Sequence, residues 1–219
     1  MERYIDLQEI SDGRLYTASD MARIGCSDCK GCSACCRGMG KSIVLDPYDI
    51  HLLTKGTGVP FCDMIDSTIE LSVVDGLVLP NLKLGGEKEE CPYLNEEGRC
   101  SVHSYRPGIC RLFPLGRVYD DGGHKYFIQT KECHSTVKTK VRVEKWLGYE
   151  DITRYEQYIN DWHFFLKELT NAIKESGDEA MSRNAGVAIL NHFFITPFNE
   201  EFFDDFYKRF NTIKEALGL

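Results

Sequence analysis

Ten cysteines constrain this chain more than anything else in it: Cys26, Cys29, Cys32, Cys35, Cys36, Cys62, Cys91, Cys100, Cys110 and Cys133. Nine precede residue 111 and none follows residue 133. Ten in 219 residues is about half the density of a small disulfide scaffold. The opening Met1-Glu-Arg-Tyr-Ile-Asp carries no apolar signal-peptide core, so a reducing, cytoplasmic setting is expected. There, closely spaced cysteines point to metal or redox chemistry rather than to structural disulfides.

The densest stretch is Cys26-Ser-Asp-Cys29-Lys-Gly-Cys32-Ser-Ala-Cys35-Cys36-Arg37. A two-residue gap lets two thiolates reach one metal from a tight turn. Such successive gaps resemble the local run of bacterial ferredoxins, where three cysteines hold a 4Fe–4S cluster and the fourth is remote and followed by proline. Cys91-Pro92 can supply that remote thiolate. Cys35 and Cys36 are neighbours, and neighbouring side chains point to opposite faces of an extended chain. One ligand to each of two sites, or one bridging thiolate, is easier than both on one ion. The three-residue gap usual in radical-SAM enzymes is missing.

The second block runs Cys91-Pro-Tyr-Leu-Asn-Glu-Glu-Gly-Arg-Cys100-Ser-Val-His-Ser-Tyr-Arg-Pro-Gly-Ile-Cys110-Arg-Leu-Phe-Pro114. Together, the two blocks resemble the YkgJ-type CxxCxxCC cysteine-cluster family, described as zinc- or iron-chelating, over roughly residues 25–135. They also resemble the cysteine region of flagellin lysine N-methylase, an iron–sulfur protein. The resemblance implies eight metal-binding cysteines: Cys29, Cys32, Cys35, Cys36, Cys91, Cys100, Cys110 and Cys133. Cys26 and Cys62 fall outside the pattern, and Cys62, within Val59-Pro-Phe-Cys-Asp-Met-Ile65, is expected in the core. Arg37, Arg106 and Arg111 are the candidate cofactor-binding residues, placed to offset thiolate charge. His103 and His134 adjoin cysteines, where an imidazole more often hydrogen-bonds beside a site than ligates.

The expected fold class is α+β: an irregular, metal-scaffolded cysteine domain over residues 1–145 with small hairpins, packed with a helical layer over 146–219. Residues 146–219 hold seven basic against thirteen acidic side chains. Ile152, Tyr155, Ile159, Trp162, Leu166, Leu169 and Ile173 step by three and four, one stripe of an amphipathic helix stopping at Gly177. A second helix is expected over 179–193, and a third starting at Thr196-Pro197. Asp46-Pro47 reads as a helix start with a stop at Gly56. Asp75-Gly76 between apolar runs predicts a hairpin, and Asp120-Asp-Gly-Gly123 a second. Between Cys91 and Cys133 apolar periodicity is weak, and bound metal is expected to supply folding energy there.

The net charge is −8, without the basic footprint of a nucleic-acid or anionic-membrane binder, and no apolar run spans a bilayer. Walker, Gly-x-Gly-x-x-Gly, His-Glu-x-x-His and Gly-x-Ser-x-Gly motifs are missing from the sequence. The leading expectation is a metal-binding protein holding an iron–sulfur cluster, a 4Fe–4S one by the spacing, with Zn²⁺ the alternative. A protein lysine N-methylase-like enzyme is implied only by the resemblance. A structural zinc module serving a protein partner is the third reading. Metal ions and a protein substrate or partner are the expected associations, with no nucleic acid and no membrane.

Overall fold

The computed structural model describes residues 6–26, 32–120, 122–133, 135 and 138–219. Within them, helices and three small antiparallel strand pairs alternate in the first two thirds of the chain, and helices fill the last third. This is an α+β arrangement.

The hairpins form where turn chemistry dictates. Strands β2 (Ile69–Val74) and β3 (Leu77–Leu82) pair in register Val74↔Leu77 through Ile69↔Leu82. Asp75 and Gly76 both take positive φ, 51° and 91°, as a two-residue hairpin turn requires. Strands β4 (Leu115–Asp120) and β5 (Gly123–Ile128) form the second hairpin. A third pair was not foreseen: β1 (Met21–Gly25) lies antiparallel to β6 (Thr139–Arg142), with Met21 opposite Arg142 and Gly25 opposite Thr139. This pair ties the two ends of the cysteine-bearing stretch together. Neither strand signals itself, because Thr139-Lys-Val-Arg142 is short and its one inward side chain is only half-buried.

Besides the single turn α1 (Leu7–Ile10), helix α2 (Pro47–Thr57) opens on a capping box. The Asp46 carboxylate accepts the Asp49 N–H, and the Asp49 carboxylate accepts the Asp46 N–H. The expected stop at Gly56 falls two residues early: Gly56 is inside the helix and Gly58 (φ 71°) ends it. Gly56 is glycine for another reason, since a Cβ there would lie 2.4 Å from the Tyr105 ring. On the next turn, α3 (Phe61–Met64), Phe61 and Met64 point inward. Cys62 is exposed, which corrects its expected place in the core. A single turn buries only the positions on one side, and Cys62 is on the other.

Helix α6 (Ile152–Ser176) follows α4 (Gly108–Leu112) and α5 (Val143–Leu147) in the chain. It runs from its Asp151 cap to a left-handed Gly177, as the pattern predicts. Its buried face, including Tyr155, Tyr158, Trp162, Phe165 and Leu169, joins α7 (Glu179–Leu190) and α8 (Phe202–Leu217) in one aromatic-rich core. Each fully buried large side chain there contributes about 1.5–3 kcal/mol. The same cluster takes in Leu45 just before α2, Leu53 from α2, and Leu77 and Leu82 from the β2–β3 hairpin. A smaller cluster joins Tyr16, Ala22, Ile24, Leu115, Tyr126 and Val143.

The last helix starts later than Thr196-Pro197 suggests. A π-type turn covers Asn191–Ile195, and α8 begins only at Phe202. Arg209 explains the delay: its guanidinium donates to the carbonyls of His192, Thr196 and Pro197 and pairs with Asp205 at 2.7 Å. The Thr196 and Pro197 carbonyls are thereby committed outside any helix.

Candidate metal centre

Two cysteine blocks meet here, and the backbone brings them together. Ala34–Cys36 make one 3₁₀ turn, closed by Cys36 N–H to the Ser33 carbonyl at 3.0 Å. The chain then extends through Arg37, which bridges antiparallel to Glu90. Cys91 N–H donates to the Cys36 carbonyl at 2.9 Å, so the first block is stitched directly onto the start of the second. Arg37 Nε reaches Glu90 Oε1 at 2.8 Å across the same bridge.

The eight residues between Cys91 and Cys100 fold back in a tight loop. Leu94 N–H donates to the Cys91 carbonyl, and the Asn95 side chain accepts from Glu97 and Arg99 N–H groups. Gly98 supplies the left-handed residue the turn needs (φ 71°). Leu94 bridges to Cys100, closing the loop with both cysteines at its base.

Cys110 comes from α4, whose position is fixed by two buried ionic groups. Asp49, 2% exposed, accepts the Gly108 N–H at 2.6 Å. Gly108 has no room for a side chain, since a Cβ would lie 2.7 Å from Tyr155 Oη and 3.1 Å from Tyr149 Oη. Arg111 donates to the carbonyls of Ser104, Arg106 (3.0 Å) and Leu147 (3.4 Å), clamping the approach to the helix.

Six of the eight expected cysteines then surround one cavity of about 220 Å³: Cys32, Cys35, Cys36, Cys91, Cys100 and Cys110. They come from two stretches of chain and from both a turn and a helix. Cys133 is half-buried and lies outside this wall. Cys29, like His134, lies outside the described residues. Of the three arginines, only Arg106 lines the cavity, where His103 accepts a hydrogen bond from its guanidinium. Arg37 and Arg111 spend their donors on Glu90 and on carbonyls.

The thiols act on one another. The hydrogen bond to Cys36, then burial, pushes the Cys35 thiol up, while Arg106 pulls it down. Burial raises Cys91, with the charges of Cys100 and Cys35 adding to it. Cys100 is raised by burial and by Cys35, against Arg106. Cys110 is raised by burial, by Cys91, by Asp49 and then by Cys100 and Cys35. Each of these four sulfurs feels the charge of at least one neighbouring sulfur, and a cation among them removes that penalty. Among the described residues no three Cys, His, Asp or Glu side chains already converge tightly enough to grip an ion. Rotation of the thiols between staggered wells moves sulfur without moving backbone. The donor set is soft and oxygen-poor, which suits zinc or iron rather than magnesium or calcium.

Sequence reasoning missed Asp49. Its signal was present: an acidic residue three positions after the helix-capping Asp46.

A family model described as CxxCxxCC, "putative zinc- or iron-chelating domain", matches residues 28–139, just over half of the chain. No curated protein and no solved structure matches the chain, and the expected link to flagellin lysine N-methylase is not shown.

Proposed function

From a chain that belongs to the CxxCxxCC family of zinc- or iron-chelating domains, we propose a protein that holds metal in the cavity ringed by Cys32, Cys35, Cys36, Cys91, Cys100 and Cys110. Cys29 and Cys133 complete the set of eight. One observation carries the reading. Cysteines from two separate stretches, stitched together at Cys36 and Cys91, face one cavity. The ferredoxin-like spacing at 29–35 with a remote Cys91-Pro92 favours an iron–sulfur cluster, with Zn²⁺ the alternative. Arg106 offsets thiolate charge. A reducing compartment such as the cytoplasm suits this chemistry.

Anaerobic purification followed by iron, zinc and acid-labile sulfide analysis tests this. Brown protein with iron and sulfide in matching amounts fits the cluster, and colourless protein with stoichiometric zinc fits the alternative. Protein that takes up neither metal under reducing conditions refutes both.

A further inference from the structure

A second cavity, of about 300 Å³, adjoins the first and shares Cys35, Cys110 and Arg106 with it. Its far wall is built by Cys26, Lys145 and Trp146. Cys26 lies outside the matched family segment, which begins at residue 28, and nothing in the family pattern assigns it a role.

Local structure sets Cys26 there. It follows β1 directly, and β1 is held by β6. Gly25 is the contact point: a Cβ on it would lie 2.3 Å from Thr139 Oγ1, so only glycine lets the strands approach this closely. The strand pair therefore delivers Cys26 to the wall of the second cavity, which Cys91 and Cys100 do not line. Cys35 and Cys110, which face both cavities, stand between them.

The electrostatics of the second cavity point the same way. Two cationic side chains, Arg106 and Lys145, line it, and no Asp or Glu does. Nearby cations offset the negative charge that thiolates bring to a metal site. In a chain of net charge −8, an acid-free, cation-bearing wall beside three cysteines is a local exception suited to thiolates.

We propose that Cys26 supplies a further thiolate to the metal centre, extending it through Cys35 and Cys110 into the second cavity, for a soft or borderline divalent cation such as zinc or iron(II). The proposal rests on the reading that the cysteine set holds metal. As the sulfur–metal bond forms, the Cys26 S–H gives its proton to solvent, and no electron changes hands. Lys145 and Arg106 balance the added negative charge.

The test uses the full chain, reduced and stripped of metal, then titrated with zinc chloride alone. Cysteines are alkylated with N-ethylmaleimide and each one is quantified by mass spectrometry. Because metal-bound sulfur is a poor nucleophile, zinc should slow labelling of Cys26 by about tenfold or more. Labelling of Cys62, exposed on α3, should not change. Cobalt(II) adds a second readout. Cys26→Ser should weaken the thiolate-to-cobalt charge-transfer absorbance per bound ion, while Cys62→Ser matches wild type. Cys26 labelling at the same rate with and without zinc, while Cys91, Cys100 and Cys110 are protected, overturns the role of Cys26 and leaves the metal reading standing. If zinc protects none of these cysteines, the metal reading itself fails.

Discussion

Replacing Asp49 by alanine should loosen the metal centre from a distance. Its carboxylate accepts two backbone N–H groups, a buried one from Gly108 at 2.6 Å and a partly buried one from Asp46 at 3.1 Å. Alanine leaves both donors without an acceptor, at about 1–3 kcal/mol each. Part of that is returned, because burial and the neighbouring Asp46 already make the Asp49 carboxylate costly to ionise and push its pKa well up. A net loss of about 2–4 kcal/mol follows. At about 2–4 °C per kcal/mol for a domain of this size, Tm should fall by roughly 5–15 °C. Asp49→Asn keeps a neutral acceptor for Gly108 and should lose less than half as much. Thermal melts followed by circular dichroism read the stability. Zinc titration reads the site, since α4 carries Cys110 and a loosened helix should weaken metal uptake in the alanine variant more than in the asparagine one. An Asp49→Ala protein that melts within about 2 °C of wild type would refute the anchoring role, because that shift corresponds to under 1 kcal/mol.

Two further outcomes follow from the same packing. Burial, then Arg117, holds His124 down to about 4, and its side chain is 1% exposed. A base whose folded pKa lies below its usual 6.5 stabilises the fold fully above pH 6.5 and loses that contribution as pH falls toward 4. The acid limb should therefore cost about 3 kcal/mol, and His124→Gln should flatten it in pH-dependent urea melts. An unchanged limb in the variant assigns the loss elsewhere. Gly56→Ala, which adds helix propensity worth about 1 kcal/mol in an open helix, should instead destabilise by about 1–3 kcal/mol. Its Cβ would press on Tyr105 at 2.4 Å, so a rise in Tm contradicts that contact.

The sequence announces the parts of this fold that are local. Val74 and Leu77 pair across Asp75-Gly76 because both turn residues must take positive φ. The α6 stripe and its Gly177 stop follow from helical spacing alone. What the sequence hides is the long-range part. The β1–β6 pair joins Met21 to Arg142, and no local pattern marks a pairing across that distance. Likewise, Thr196-Pro197 has the chemistry of a helix start, yet Arg209 from the next helix claims its carbonyls. At the candidate site the spacing and the resemblance single out cysteines, six of which the structure brings to one cavity, but not the groups that place them. Asp49 holds the Cys110 helix and Arg111 clamps its approach, and both act across sequence gaps that motif reading does not span. Arg111 was read as a counter-charge for thiolates, and the structure spends it on carbonyls instead. A lone arginine beside a cysteine carries no local sign of which partner it will find.

Metal content is the most direct test of the central claim, that the cysteines ringing the cavity hold a metal ion or cluster. Full chains carrying Cys91→Ser, Cys100→Ser and Cys110→Ser together should be compared with a Cys62→Ser chain, purified side by side without oxygen. Iron and zinc per chain should be measured by mass spectrometry. The account predicts stoichiometric metal in the Cys62→Ser protein and its loss in the triple variant, with the α6–α8 core still helical by circular dichroism. Equal metal content in the two proteins, or none in either, contradicts it.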